Sequence, residues 1–178
     1  MTSELRASGS SERIRTLNTG GVHFGFGLDP LADTCLQKAA TLVSSTEQSL
    51  GALNEARDAA PDQLDVLLAL YKLHFYRGDI RVAEEYVRQT LVKAAIQGGF
   101  SHRWEELSAH SANWASLRGP SRIYLCSLKA LAFVCLRQHR LVESESVLAV
   151  LERLDPDDRV GAGVIRDLLT GMQEEDDG

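Results

Sequence analysis

The chain has little of what small secreted or metal-built proteins rely on. Three cysteines, Cys35, Cys126 and Cys135, stand among 178 residues. Their number is odd and no two share a CxxC spacing, which argues against a disulfide framework and against a zinc site. They read as buried thiols of a cytoplasmic protein. No stretch approaches the roughly 20 apolar residues that span a bilayer, so no membrane partner is expected. Met1 to Thr19 is rich in Ser, Thr, Arg and Glu and lacks the apolar run of a secretory signal. Positive charge is also in deficit. The net charge is −6 and the isoelectric point is near 5.4, so the chain has no general attraction for phosphate backbones and nucleic acid is not an expected partner.

Recognisable reaction chemistry is missing as well. There is no P-loop, no GxGxxG following a strand and no GxSxG. Gly20, Gly21, Gly25 and Gly27 follow no strand and so form no phosphate loop. None of the five histidines, His23, His74, His102, His110 and His139, has a metal-ligand spacing on a clear helical face. His102 and His110, close to Glu105 and Glu106, carry the rival reading of a metal-dependent enzyme or metal carrier. Arg77-Gly78-Asp79 matches a cell-adhesion tripeptide, but it falls where two helices need a tight turn, and the turn accounts for it. The expectation is a non-enzyme with no catalytic residues, no cofactor and no metal.

What the chain does have is helical periodicity. Hydrophobic residues make up 44% and charged residues 25%, an ordinary globular balance. Asp29-Pro30 starts a helix that runs to about Val43, and Ser44, Ser45 and Thr46 cap a second to about Ala60. Pro61-Asp62 starts a third, in which Leu64, Leu67, Leu68, Tyr71 and Phe75 form one apolar face. Gly78-Asp79 turns the chain into a fourth, which stops at Gly98-Gly99. Ser101 caps a short helix bearing Trp104, Leu107 and Trp114. After Gly119-Pro120-Ser121, the helix from Arg122 to Gln138 is apolar almost all round and belongs at the centre. Another carries Leu141, Val147, Leu148 and Leu151. A last helix after Asp155-Pro156 carries Val160, Val164, Ile165, Leu168 and Leu169. No strand is expected.

Two segments align as helix–turn–helix units. Leu67, Leu70, Gly78-Asp79 and Ala83 of the first match Leu128, Leu131, His139-Arg140 and Ser144 of the second, and Pro156 closes the second. This resembles the tetratricopeptide (TPR) pattern of roughly 34 residues. The departures are Tyr71 at a position usually small, no proline closing the first unit, and an insertion between the units. The resemblance implies an all-α protein of TPR-like helix–turn–helix repeats forming a short right-handed solenoid with a Trp-bearing helical insertion, and a partner-binding role. Residues 1–28 read as a flexible N-terminal segment with a Gly/Phe-rich docking stretch. Residues 29–172 read as the helical domain, with the insertion at about 99–119, and 173–178 as an acidic tail.

Two narrower resemblances follow. The stretch from Leu128-Lys129-Ala130-Leu131-Ala132 to Leu154-Asp155-Pro156 is similar to small TPR-like chaperones of type III secretion. A longer combination resembles the nitrogenase-associated factor T family of nitrogen-fixation gene clusters. It joins Gly98-Gly99-Phe100, Trp104, Trp114, Gly119-Pro120, Tyr124, Leu128 to Leu136, Asp155-Pro156, Val160-Gly161 and Val164-Ile165-Arg166. That resemblance implies an accessory factor or assembly chaperone that binds the molybdenum–iron protein of nitrogenase. Trp and Arg are over-represented in interface hot spots. The candidate partner-binding residues are therefore Phe100, Arg103, Trp104 and Trp114, with Phe24 and Phe26 as a second patch.

Overall fold

The computed structural model describes residues 46–116 and 118–176. The segment 1–28 with Phe24 and Phe26, and the expected helix from Asp29-Pro30 to about Val43, lie outside the described residues. Six α-helices follow one another: α1 Thr46–Ala59, α2 Leu64–Arg77, α3 Ile80–Gly98, α4 Pro120–Arg137, α5 Leu141–Leu154 and α6 Gly163–Asp176. A single 3-10 turn, Trp104–Glu106, lies between α3 and α4. No strand occurs among the described residues, and no helix among them is long and apolar enough to cross a membrane.

Each helix packs chiefly on the next, and α4 also touches α2 and α6. The near-continuous apolar character of α4 explains its place. Tyr124, Leu125, Leu128, Leu131 and Cys135 are all fully buried, and each such leucine contributes about 2 kcal/mol by leaving water. Pro120 occupies the first turn of α4, where its missing N–H costs no helical bond. A smaller cluster joins Ala52, Leu53 and Ala56 of α1 to Val66 and Leu70 of α2.

The two turns expected to correspond share one geometry. Gly78 has φ 83° and His139 has φ 57°, both left-handed. The N–H of Asp79 donates to the carbonyl of His74, and that of Arg140 to the carbonyl of Cys135, both at 2.9 Å. Helices that cross closely need small residues. Ala83 and Ser144 sit fully buried one turn into α3 and α5, and the Ser144 hydroxyl donates to the carbonyl of Ala132 at 2.9 Å.

Two expectations need correction. The insertion is not a helix beyond the 3-10 turn. Its serines divert the backbone bonds a helix would use: Ser111 Oγ accepts from the N–H of Ser108, and Ser108 Oγ from that of His110. The last helix begins at Gly163, later than Pro156 suggests. Asp158 stops the chain there by accepting the N–H groups of Ala162 and Gly163 on its two carboxylate oxygens. The same helix continues to Asp176, so the acidic residues Glu174 to Asp176 belong to it.

Candidate functional site

The insertion folds around Trp114. This indole is 6% exposed. Its Nε1–H donates to the carbonyl of Ser108 at 2.9 Å. The Phe100 ring lies 5.1 Å from both Trp114 and Tyr124, and the Tyr124 hydroxyl donates to the carbonyl of His102 at 3.0 Å. Phe100 folds back over Gly98, where its ring occupies the place of a Cβ, so glycine is needed there. Arg153 of α5 closes the loop by donating from Nε to the carbonyl of Leu107 at 3.1 Å. Trp114 and Phe100 therefore pin the insertion to the helical body, and Trp114 presents little surface.

Trp104 is placed differently. It is half-buried, with its ring 5.9 Å from the guanidinium carbon of Arg88, a cation–π contact of about 0.5–1 kcal/mol. Arg88 belongs to an ionic joint that sequence reasoning did not find. Arg88 donates to Glu84 Oε1 at 2.8 Å and to Glu143 Oε1 at 2.6 Å. Arg140 donates to Glu143 Oε2 at 2.7 Å, and its Nη2 lies 2.7 Å from Glu84 Oε2 as an ion contact off the hydrogen-bonding line. Gln138 donates to Glu84 Oε2 at 2.8 Å. Burial pushes the Glu84 carboxyl up, but the nearby Arg140 guanidinium and the bonds from Gln138 and Arg88 outweigh it and hold the group below the usual carboxylate range. The joint couples α3 to the turn before α5 and, through Trp104, to the insertion. The signals available were the Glu84–Arg88 and Arg140–Glu143 spacings within helices; the link across helices needs the fold.

Between Trp104 and the outer side of α5 runs an open groove of about 860 Å³. Val142, Ser146, Ala149 and Arg153 line it along one helical stripe, and Trp104 with Glu105 forms one wall. His139, with its left-handed backbone, and Arg140 close one end. Val142 is 78% exposed there, although the core-facing residues of α5 are Val147, Leu148 and Leu151. An apolar residue in that outward phase is the sequence signal that could have flagged the groove.

Arg103 is exposed at the rim of the insertion and pairs with Glu106 at 3.0 Å. His102 and His110 are exposed, and among the described residues no three His, Cys, Asp or Glu side chains gather to hold a metal ion. Burial pushes the Cys135 thiol up to about 12 and raises that of Cys126 as well, so neither is a poised nucleophile. The groove offers small apolar surface between fixed charges. Its lining also carries His139, Glu105, Glu143 and Ser146.

No family model matches the chain, and no solved structure matches it. A curated protein does: an uncharacterized 19.8 kDa protein in the nifW 5′ region of Azotobacter chroococcum mcd 1. The two are 31% identical over 119 residues, which cover 66% of this chain and 67% of that protein. At that identity over two thirds of the relative, the chain belongs to the family of this 19.8 kDa nifW-region protein.

Proposed function

We propose that this protein is a non-enzymatic accessory factor or assembly chaperone of nitrogen fixation that works in the cytoplasm by holding another protein. Its most specific client is the molybdenum–iron protein of nitrogenase. The single observation that carries the binding role is the open groove beside Trp104, with Val142 presented outward on α5. The relative's place in the nifW 5′ region supports the link to nitrogen fixation. The sequence resemblance to nitrogenase-associated factor T supports the client.

The helix pairs are read as TPR-like units in a short right-handed solenoid. Three features support this: matching turn bonds in the two units, buried small residues at the helix crossings, and the contacts of α4 with both α2 and α6. In such an array a groove on a second helix is a docking edge beyond the shared core.

The test is direct titration of the purified protein against purified nitrogenase molybdenum–iron protein by light scattering or calorimetry. The expectation is a complex that Val142→Asp weakens at least tenfold, because a carboxylate is placed on the apolar floor of the groove. Tagged protein from cells fixing nitrogen should retain the same client and lose it when the cells grow on ammonium. Absence of binding to the purified client would sink the nitrogenase reading. Undiminished binding by a folded Val142→Asp variant would remove the groove from it.

A further inference from the structure

Several cations in the described part of the chain are answered by carboxylates: Arg57 by Asp58, Arg77 by Glu47 and Asp79, Lys93 by Asp62, and Arg88 and Arg140 by Glu84 and Glu143. Among the cations with no carboxylate partner in the described residues, three stand together. Arg122, Cys126, Lys129 and Phe133 recur at spacings of four, three and four, which puts them on one stripe of α4. Lys72 and Phe75 stand on the side of α2 that meets it. The Phe75 and Phe133 rings are 5.2 Å apart, and the Cys126 thiol feels the charges of Arg122, Lys129 and Lys72 together.

Among the described residues no carboxylate forms an ion pair with these three cations. Arg122 Nη2 donates to the carbonyl of Arg159 at 3.0 Å and Lys129 Nζ to the carbonyl of Val160 at 2.7 Å, which fixes both heads beside the α5–α6 connection. Asp155, the acid nearest Cys126, is buried and its Oδ2 accepts the N–H of Val160. Lys72 is half-buried, and burial together with the charge of Lys129 pulls its ammonium below the usual lysine range. Arg122 and Lys129 are held in place and Lys72 stands beside them, three positive charges against the one carboxylate, Asp155, felt at Cys126, a local excess of positive charge in a chain of net charge −6.

We infer that the strip between α2 and α4 binds an acidic, extended segment of a partner protein, its carboxylates on Lys72, Arg122 and Lys129 and an apolar side chain against Phe75 and Phe133. The dimensions favour a peptide over a small anion. From Arg122 to Phe133 the stripe runs about 16 Å along α4, the reach of roughly five extended residues. The aromatic pair at one end gives a site that a bare anion leaves unused. This strip is separate from the groove beside Trp104, so the inference stands without the groove.

The full-length protein would be titrated with a fluorescein-labelled hexapeptide, Phe-Glu-Glu-Asp-Glu-Leu, and with the same peptide carrying Lys at its acidic positions. Inorganic phosphate would serve as competitor. The acidic peptide should bind, the basic one should not, and affinity should fall steeply with added salt. Lys72→Glu should weaken binding at least tenfold, and Lys72→Arg should keep it, with both variants melting within a few degrees of the parent. Trp104→Ala should bind the peptide as the parent does, which separates this strip from the groove. Equal binding of both peptides, or an unaffected Lys72→Glu variant, overturns the proposal. So does phosphate binding as tightly as the peptide, which would make the strip a small-anion site. If Lys72→Glu fails to fold, loss of peptide binding in Lys129→Gln decides the same question.

Discussion

The units α2–α3 and α4–α5 turn the chain in the same way and use the turn differently. In the first, the residue after the left-handed position is Asp79, and its partners are local: His74 at 3.3 Å and Arg77 at 3.0 Å, both on the helix just completed. In the second, the corresponding residue is Arg140, and it reaches back across the interface to Glu84 of α3 and forward to Glu143 of α5. Inverting one charge turns a residue that bonds only within its own unit into a joint between units. That joint carries Trp104 and closes one end of the groove. The two turns thus keep the same backbone bonds and differ in what their side chains connect.

The largest test of this difference is to remove the two charges in parallel. Arg140→Ala leaves Glu84 and Glu143 short of a partner. A fully buried pair broken in this way costs roughly 3–5 kcal/mol. These side chains are 15–34% exposed, so solvent reduces the expected cost to about 2 kcal/mol. At roughly 2–4 °C per kcal/mol for a chain of this size, the melting temperature should fall by about 6 °C. Asp79→Ala should cost less than half as much, because Asp79 is itself 43% exposed and Arg77 keeps Glu47 as a partner. Equal losses in the two variants, read by thermal unfolding, would mean that the second turn is no more of a joint than the first.

Much of this organisation was open to sequence reasoning, for local reasons. Gly78, Gly99 and Pro120 mark helix ends through backbone conformation alone, so α2, α3 and α4 fall close to where glycine and proline put them. The apolar wrap of α4 predicts its central place. The insertion was harder. Trp104 and Trp114 look alike along the chain, and only the packing of Phe100 and Tyr124 shows that one is core and the other a groove wall. The helix drawn through them failed because serine hydroxyls bound the backbone first. Arg103, expected beside them at the interface, is exposed at the rim. The ionic joint was out of reach because Glu84 and Arg140 meet only once α3 and α5 are folded against α4.

A smaller effect should appear in acid. The Glu84 carboxyl is depressed in the folded chain relative to its ordinary value of 4.5. A depressed acid adds stability that is fully present above the unfolded value and is lost as pH falls through the folded one. The melting temperature should therefore be level on this account from neutral pH to about 5, and decline below about 4.5. Glu84→Gln lacks the titrating group, so its own decline should be shallower and the gap between variant and parent should narrow in acid. A gap that stays constant from pH 7 to pH 3 would show that Glu84 acts through shape and not through charge.

The smallest effect lies in the backbone of the two turns. Gly78 and His139 hold the same left-handed conformation, which costs a residue with a Cβ about 1 kcal/mol and costs glycine nothing. A Cβ at Gly78 would meet nothing within 4 Å, so Gly78→Ala leaves only the backbone effects: about 1 kcal/mol of strain, offset in part by a stiffer unfolded chain, for a net loss of about 0.5 kcal/mol. His139→Gly should do the reverse. It relieves the strain but adds freedom to the unfolded chain, so the net gain is about 0.5 kcal/mol. Denaturant midpoints resolve both values if the slopes stay equal. Opposite signs at the two turns would establish that the second unit carries a conformational cost the first avoids. Since His139 lines the groove, that cost falls at the place where the two units differ in use. A loss of stability in His139→Gly would instead mean that the imidazole makes contacts outweighing its strained backbone, and the correspondence between the turns would then be one of shape alone.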